Sequence, residues 1–137
     1  MLLFLAFAVS AQADAPPAQQ SASPVLGSKG LMGQYGKGWG RVAPRTIFNG
    51  GVPSGLIKKI RWRRWGKANA YGFGLTYLYK PQGGYYDQPG GIRLRATRLG
   101  SCSGKRAYTK LYVRTVNRPG GSYGRRHSWS ETDSLCL

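Results

Sequence analysis

The fold class follows from two alternating stretches, Ile92-Arg93-Leu94-Arg95-Ala96 and Thr109-Lys110-Leu111-Tyr112-Val113-Arg114-Thr115. In each stretch apolar side chains recur at every second position, and arginine, lysine or tyrosine fills the positions between them. Because successive side chains of a β-strand point to opposite faces, this period predicts strands with one buried and one solvated face. Half-solvated strands of this kind are typical of antiparallel sheets.

Weaker signals of the same kind occupy most of the remaining chain. Residues 71–79 place five large side chains on one face and small residues on the other, and residues 123–129 also alternate. Leu56–Trp65 is compatible with a short helix or a strand, and we favour a strand from Lys58 onward. Clusters of glycine and proline between these stretches predict turns. We therefore expect an all-β fold, a small antiparallel β-sandwich or open barrel of five to seven short strands with one disulfide.

The beginning of the chain predicts export. Leu2–Val9 is an apolar run, and Ala11 and Ala13 form a small-residue cleavage pattern after it. Residues 1–13 are therefore predicted to be a signal peptide, although no lysine or arginine precedes the apolar run. No apolar run in the sequence is long enough to span a bilayer.

An irregular segment follows the predicted signal peptide. Residues 14–40 are rich first in proline, alanine and glutamine and then in glycine. This composition predicts a disordered tether, followed by a flexible arm or by an irregular edge that docks through Tyr35 and Trp39. Residues 41–137 are predicted to form a single β domain.

Cys102 and Cys136 are the two cysteines of the chain. In an oxidising compartment they are expected to pair, and closing a loop of this length stabilises a small domain by about 3.5–4 kcal/mol on the chain-entropy estimate. A structural metal site is not expected, because two cysteines and one histidine without close spacing do not supply a tetrahedral ligand set. The cysteines and the predicted signal peptide together indicate a secreted protein, extracellular or associated with the cell wall.

Five short motifs stand out between Pro44 and Cys136, about two-thirds of the chain. They are Pro44-x-x-Ile47, Trp62-x-x-Trp65-Gly66, Ala70-x-Gly72-x-Gly74, Cys102-x-Gly104 with Tyr108-Thr109-x-Leu111, and the closing Leu135-Cys136. Together they resemble an uncharacterised family of small secreted actinobacterial proteins. The resemblance implies export and a compact, disulfide-bearing β domain, and it supplies no catalytic residue. The chain departs from the pattern near residues 49–51 and 82–84, where it has glycine in place of further cysteines.

Residues suited to catalysis are few. The chain has four acidic side chains and one histidine, and no nucleophile motif stands out, so no catalytic residue, metal or cofactor is predicted. The enzymatic alternative is a small secreted ribonuclease-like hydrolase, with Glu131 as base, His127 as acid and Arg125 or Arg126 at the phosphate. Glu131 and His127 would lie about 13 Å apart on a strand, unless a turn after Trp129 brings them together. A surface histidine without a catalytic role is the simpler interpretation.

Positive charge is the strongest functional signal. Lysine and arginine number 21 against 4 aspartates and glutamates, a formal net charge of +17. This charge exceeds what solubility needs, and its self-repulsion destabilises the compact state. In the predicted strands the cations alternate with inward residues and are expected to merge on one solvated face of the sheet. The predicted polyanion-binding residues are Lys59, Arg61, Arg63, Arg93, Arg95, Lys110, Arg114, Tyr108 and Tyr112.

A face of this composition attracts polyanions by counterion release, and its rings can stack on bases or sugars. We therefore predict a non-enzymatic, cationic domain that binds an anionic polymer or surface. The candidates are a cell-envelope polymer, an acidic polysaccharide, anionic lipid headgroups and nucleic acid. A membrane-active toxin ranks last, because no strongly amphipathic helix is visible.

Two aromatic pairs have simpler interpretations beside the functional ones. Tyr85 and Tyr86 lie in a turn-rich loop, where they predict either a sugar-stacking tip or a rim that covers one end of the domain. Trp62 and Trp65 are expected to pack in the core and at its edge, because large rings dominate burial in a small domain.

Overall fold

The computed structural model describes residues 22–117, 124, 126–129 and 132–137. The predicted signal peptide and the first part of the predicted tether lie outside these residues. Seven strands and one 3-10 turn, Pro53–Gly55, occur in the described part of the chain. The strands are β1 (Val25–Leu26), β2 (Ile47–Phe48), β3 (Leu56–Arg63), β4 (Ala70–Thr76), β5 (Gly90–Cys102), β6 (Lys105–Asn117) and β7 (His127–Ser128). The predicted all-β fold is confirmed.

All seven strands belong to one curled sheet that forms a half-barrel. The order across the sheet is β1-β6-β5-β4-β3-β2, and β7 pairs with β6. The β1–β6 pair is parallel and the other pairs are antiparallel, so the sheet is mixed. Of the two predicted architectures, the structure has the open barrel. β5 and β6, with 13 residues each, are longer than the short strands expected.

The hydrophobic core lies on the inner side of the curl. Along β5 and β6 the inward positions are Leu94, Ala96, Leu111 and Val113, all of which are buried, as the alternation predicts. Segments from both ends of the described chain close over this side and contribute Leu26, Leu31, Trp39, Trp129 and Leu135 to the core. Burial of these apolar side chains is the main favourable term in the stability of the domain.

Residues 22–40 belong to the fold, whereas the sequence predicts a tether and a glycine-rich segment for residues 14–40. Leu26 is fully buried in β1, and Trp39 is 5% exposed and donates its indole N–H to a backbone carbonyl of β2 at 3.0 Å. Of the two alternatives for the glycine-rich segment, the structure therefore has the docked edge. Trp39 docks it, while Tyr35 is 66% exposed.

Two tryptophans tie this N-terminal segment to the sheet. The indole N–H of Trp62 donates to the Pro44 carbonyl at 2.7 Å, and that of Trp65 donates to the Pro24 carbonyl at 2.8 Å. The two rings meet edge to face with centroids 4.8 Å apart, and Trp65 meets Tyr108 in the same way at 4.9 Å. The Trp-x-x-Trp motif therefore serves packing, with each polar N–H satisfied.

The small residues of β4, and not its large ones, face the core. Gly72 and Gly74 are buried, whereas Tyr71 and Phe73 are 44% and 46% exposed. A Cβ atom added to Gly74 would lie 2.7 Å from Cγ2 of Ile57, because the isoleucine side chains of β3 already fill that space. The close approach of β3 thus leaves no room inside, and β4 presents its aromatic side chains to solvent.

The predicted disulfide is confirmed. Cys102 at the end of β5 is bonded to Cys136, with Cα atoms 5.1 Å apart. The bond fastens the C-terminal segment to the β5–β6 hairpin, where the Leu135 N–H also donates to the Thr109 carbonyl at 2.7 Å. Such a bond is compatible with an oxidising compartment. Among the described residues, no helix has the length and apolar character needed to cross a membrane.

We expect Gly74→Ala to lower the free energy of unfolding by about 1–3 kcal/mol, because the added methyl group overlaps Ile57 and Ile60. Urea denaturation followed by tryptophan fluorescence measures this change. Gly51→Ala is the matched control, since its Cβ would meet nothing closer than 3.7 Å, and it should change stability by less than about 0.5 kcal/mol. Equal losses in the two variants would contradict the close packing of β3 on β4.

Replacing both bonded cysteines, Cys102→Ser with Cys136→Ser, should lower the free energy of unfolding by about 3–4 kcal/mol, because the unfolded chain regains the freedom of the closed loop. The same denaturation experiment applies, and the wild type unfolded in the presence of a reductant is the control. The two should agree. An unfolding midpoint that stays where it was in both would show that the bond does not stabilise the domain.

Candidate functional site

The outer face of the sheet presents two rows of side chains that run across β3, β4, β5 and β6. The strand register places Arg61, Phe73, Arg93 and Arg114 side by side in the first row. It places Arg63, Tyr71, Arg95 and Tyr112 side by side in the second row. Directly opposed residues on neighbouring strands have Cβ atoms about 4.5–5.5 Å apart. We call these two rows the arginine–aromatic face.

The positive charge of this face is not balanced within its own strands. β3, β4, β5 and β6 contain no aspartate or glutamate, and the acidic side chains in the described part of the chain, Asp87 and Asp133, lie outside them. Arg93 and Arg114 stand directly opposite each other, and like charges in that position destabilise a sheet. The face therefore keeps a repulsive arrangement that a bound anion would relieve.

A shallow cleft of about 180 Å³ opens on this face between β4, β5 and β6. Its charged and aromatic lining consists of Arg93, Arg95, Arg114, Arg126, Tyr71 and Tyr112. The guanidinium carbon of Arg95 lies 5.0 Å from the ring centroid of Tyr112, a cation–π distance. The Nε of Arg95 is buried and has no hydrogen-bond partner among the described residues. The four guanidinium groups that line the cleft suit a phosphate, sulfate or carboxylate group.

Exposed aromatic side chains continue the line of Tyr71 and Phe73 beyond the end of β4. Tyr77 and Tyr79 are 40% and 53% exposed and keep the spacing of two residues. The ring of Tyr79 stacks on that of Tyr85, with centroids 4.3 Å apart. We call Tyr71, Phe73, Tyr77 and Tyr79 the aromatic ridge. Tyr71 and Phe73 lie within β4, and Tyr77 and Tyr79 follow the end of the strand at Thr76.

Basic side chains flank the aromatic ridge on both sides. On the β3 side, Arg61 and Arg63 stand opposite the two rings of β4. Farther along, a β-bulge with Lys59 at φ 54° leaves both Lys58 and Lys59 exposed. These lysines share a cleft of about 230 Å³ with Tyr77. The arginines of β5 occupy the opposite side of Tyr71 and Phe73, so this part of the ridge runs between two lines of cations.

Most of the residues that the sequence predicts for polyanion binding are solvent-accessible on these strands. They are Lys59, Arg61, Arg63, Arg93, Arg95, Arg114 and Tyr112. The sequence analysis does not include Tyr71 and Phe73, because alternation shows that the two faces of β4 differ without showing which one is buried. It also places Arg126 in the hydrolase alternative, whereas the structure brings it to the arginine-lined cleft.

Tyr108, which the sequence predicts to bind polyanions, is a core residue with no exposed surface. Its hydroxyl donates to the Lys67 carbonyl and accepts from the Gly66 N–H at 2.8 Å. Burial raises the pKa of this hydroxyl, although the hydrogen bond from the Gly66 backbone acts in the opposite direction. The N-terminal segment, paired to this end of β6 through β1, covers Tyr108, and that pairing is not visible in the sequence pattern.

Lys110, which the sequence also predicts to bind polyanions, is buried, with 5% of its surface exposed. Its ammonium group donates to the Thr132 carbonyl at 2.6 Å and to the Asp133 carbonyl at 3.2 Å. These bonds hold the C-terminal segment near the disulfide. Lys110 is therefore a structural residue, because the end of the chain folds back over it.

His127 lies on β7 opposite Val113. Opposed residues share a face of the sheet, so His127 is directed toward the inner side, away from the arginine–aromatic face. It borders a cavity of about 250 Å³ whose other lining side chains are uncharged. Glu131 and Arg125, its partners in the hydrolase alternative, lie outside the described residues, and that alternative stays a prediction. The described part of the chain holds no group of three His, Cys, Asp or Glu side chains that could bind a metal ion.

The glycine-rich segment forms a second basic feature that the sequence analysis does not predict. A groove of about 720 Å³ is lined by Lys29, Lys37, Arg41 and Arg45, with Trp39 among its apolar residues. These cations escape a sequence-based search because their segment has no regular period. The groove provides a natural comparison for experiments on the arginine–aromatic face.

We expect Tyr108→Phe to lower the free energy of unfolding by about 1–3 kcal/mol, because two partly buried hydrogen bonds, to the Gly66 N–H and the Lys67 carbonyl, are lost. The same variant should bind inorganic polyphosphate with unchanged affinity, since the ring of Tyr108 is out of reach of a ligand. Denaturation measures the stability and fluorescence titration measures the affinity. Tyr112→Phe removes the same hydroxyl from a half-exposed position, and it should change stability less. Weaker binding by folded Tyr108→Phe would contradict its placement in the core.

Comparison with protein-family models, with curated proteins and with solved structures gives no match. The resemblance to small secreted actinobacterial proteins therefore stays a prediction. The function has to be inferred from the geometry of the outer face, which combines guanidinium donors with exposed aromatic rings.

Proposed function

We propose that the protein is a secreted, non-enzymatic domain that binds polyanions through the arginine–aromatic face. The observation that carries the proposal is the strand register, which aligns arginines of β3, β5 and β6 beside exposed aromatic rings. The ligand class is a polymer with closely spaced negative charges, such as a cell-envelope polymer, an acidic polysaccharide or a nucleic acid.

The energetics of this face favour a polymer over a single small anion. Each exposed guanidinium on its own gains little from one surface ion pair. A polymer contacts many cations at once and releases the counterions that it carries, so the favourable free energy of binding increases with each contact. The two rows extend across four strands, and they offer such a ligand a continuous basic surface.

The disulfide of the chain is compatible with the proposed secretion into an oxidising compartment. The chain has a disulfide between Cys102 and Cys136. Disulfides persist in secreted proteins, whereas cytosolic thiols are kept reduced. Anionic polymers of the cell surface or surroundings are ligands that such a protein would meet.

The experiment is fluorescence titration of the purified protein with inorganic polyphosphate over a salt series. Arg61→Gln, Arg63→Gln and Arg93→Gln combined should weaken binding about tenfold or more at low salt. Because roughly three phosphate contacts are lost, the negative slope of log K against log salt should become shallower by about 2.

A charge-matched control separates this face from net charge. Lys29→Gln, Lys37→Gln and Lys105→Gln combined remove the same charge from exposed positions elsewhere, and they should change affinity much less. Equal losses in the two triple variants would indicate generic attraction, and a larger loss in the control would move the site to the glycine-rich groove. Either result overturns the proposal, as does binding that salt leaves unchanged.

A further inference from the structure

We infer that the polyanion is a single-stranded nucleic acid, whose bases stack on Tyr71 and Phe73 while its phosphates meet the flanking arginines. This inference rests on the proposed function and narrows its ligand class. The observation behind it is the solvent exposure of two aromatic rings, which is independent of the positive charge that supports the proposed function.

The two rings are placed to receive successive bases. Tyr71 and Phe73 are two residues apart on one face of β4, which separates them by roughly 6.6 Å along the strand. Each is close to half exposed, although burying a ring of this size is strongly favourable. Between them, Gly72 packs against Trp62 on the inner side, so the backbone that carries the rings is held firmly. Rigid, exposed rings at this spacing form a stacking platform.

Arginines stand beside each of these rings on both neighbouring strands. Tyr71 is paired with Arg63 on one side and with Arg95 on the other, and Phe73 is paired with Arg61 and Arg93. Neighbouring strands lie about 4.8 Å apart, so each ring has guanidinium groups within reach of a phosphate attached to the stacked nucleotide. A strand that follows β4 would therefore keep its bases on the rings and its phosphates between cations.

The arginine-lined cleft adds a phosphate site at one end of this track. It lies beside Tyr71, and Arg93, Arg95, Arg114 and Arg126 converge on it. At the other end, Tyr77 and Tyr79 extend the aromatic ridge beside the lysines of the bulge. The four exposed rings and the cleft together offer positions for several nucleotides, in the range of small single-strand-binding domains.

Most other polyanions use only half of this surface, and an acidic polysaccharide, whose sugars can stack on the rings, is distinguished by the alginate competitor in the test below. Polyphosphate, teichoic-type polymers and lipid headgroups supply charge but no planar ring that would cover the exposed aromatics. A duplex supplies charge but hides its base faces in the stack. A single strand exposes both, and base stacking on an aromatic side chain contributes roughly 1–3 kcal/mol per base. The combination of rings and arginines thus favours single-stranded DNA or RNA.

The test compares two oligonucleotides that carry the same charge. Fluorescence anisotropy measures binding of the purified protein to a labelled oligothymidylate of about 12 nucleotides and to an abasic oligomer of the same length. We expect the oligothymidylate to bind about tenfold more tightly or better, because only it can stack. An unlabelled duplex and an alginate, added as competitors, should displace it less effectively than the unlabelled single strand.

Variants of the rings complete the experiment. Tyr71→Leu with Phe73→Leu should remove most of the preference for bases, so that the two oligomers bind with affinities within about twofold of each other. Tyr35→Leu, which changes an exposed ring outside the ridge, is the matched control and should change neither affinity. Both ring positions are solvent-exposed in β4, and near-ultraviolet circular dichroism checks that the variant stays folded.

The possible results separate this inference from the proposed function. Equal affinity for the two oligomers, or stronger competition by the duplex or the alginate, would overturn the nucleic-acid inference. If Arg61→Gln, Arg63→Gln and Arg93→Gln combined still weaken binding to polyphosphate in that case, the polyanion-binding proposal stands. Absence of binding to either oligomer and to polyphosphate would overturn both.

Discussion

The outward position of the aromatic residues depends on one packing constraint, the close approach of β3 to the inner side of β4. Ile57, Ile60 and Trp62 occupy the space that side chains at Gly72 and Gly74 would need. Glycine at these positions allows the sheet to curl tightly around a small core. The other face of β4 must then carry the large residues, since a strand alternates between its two faces. The exposed rings are thus a consequence of how the core is filled.

Repulsion between the positive charges opposes folding, and several hydrogen bonds and the disulfide stabilise the folded state against it. Arginines stand opposite one another on β5 and β6, and the four central strands carry no acidic side chain. The indole N–H groups of Trp62 and Trp65 hold the N-terminal segment in place, Lys110 holds the C-terminal segment, and the disulfide closes the loop between β5 and the chain end. Apart from Lys110, which lies beside the ring of Tyr112, these contacts lie at the inner side and the margins of the sheet. The rest of the outer face is left for the cations.

Much of the fold could be predicted from the sequence, because the alternation in β5 and β6 and the two cysteines each have one dominant physical meaning. The candidate site could be predicted only in part. Arg61, Arg93 and Arg114 follow from alternation with apolar neighbours, whereas the exposure of Tyr71 and Phe73 depends on the volume of side chains on another strand. Tyr108 and Lys110, which the sequence also predicts for the site, are buried for a related reason. Segments distant in sequence cover them, and strand periodicity contains no information about such contacts.

The positions of the cations and of the aromatic rings together determine how well the outer face distinguishes one polyanion from another. A cationic protein without exposed rings would bind any polyanion according to charge density, and salt would weaken all such complexes alike. Rings between the cations add a contribution that salt screens little, because stacking does not depend on ion release. On this sheet both rings of β4 have an arginine on each neighbouring strand, so a ligand cannot approach one without meeting the other. Discrimination among polyanions on the outer face therefore depends on the planar groups that a polymer can offer, once the electrostatic attraction has brought it there.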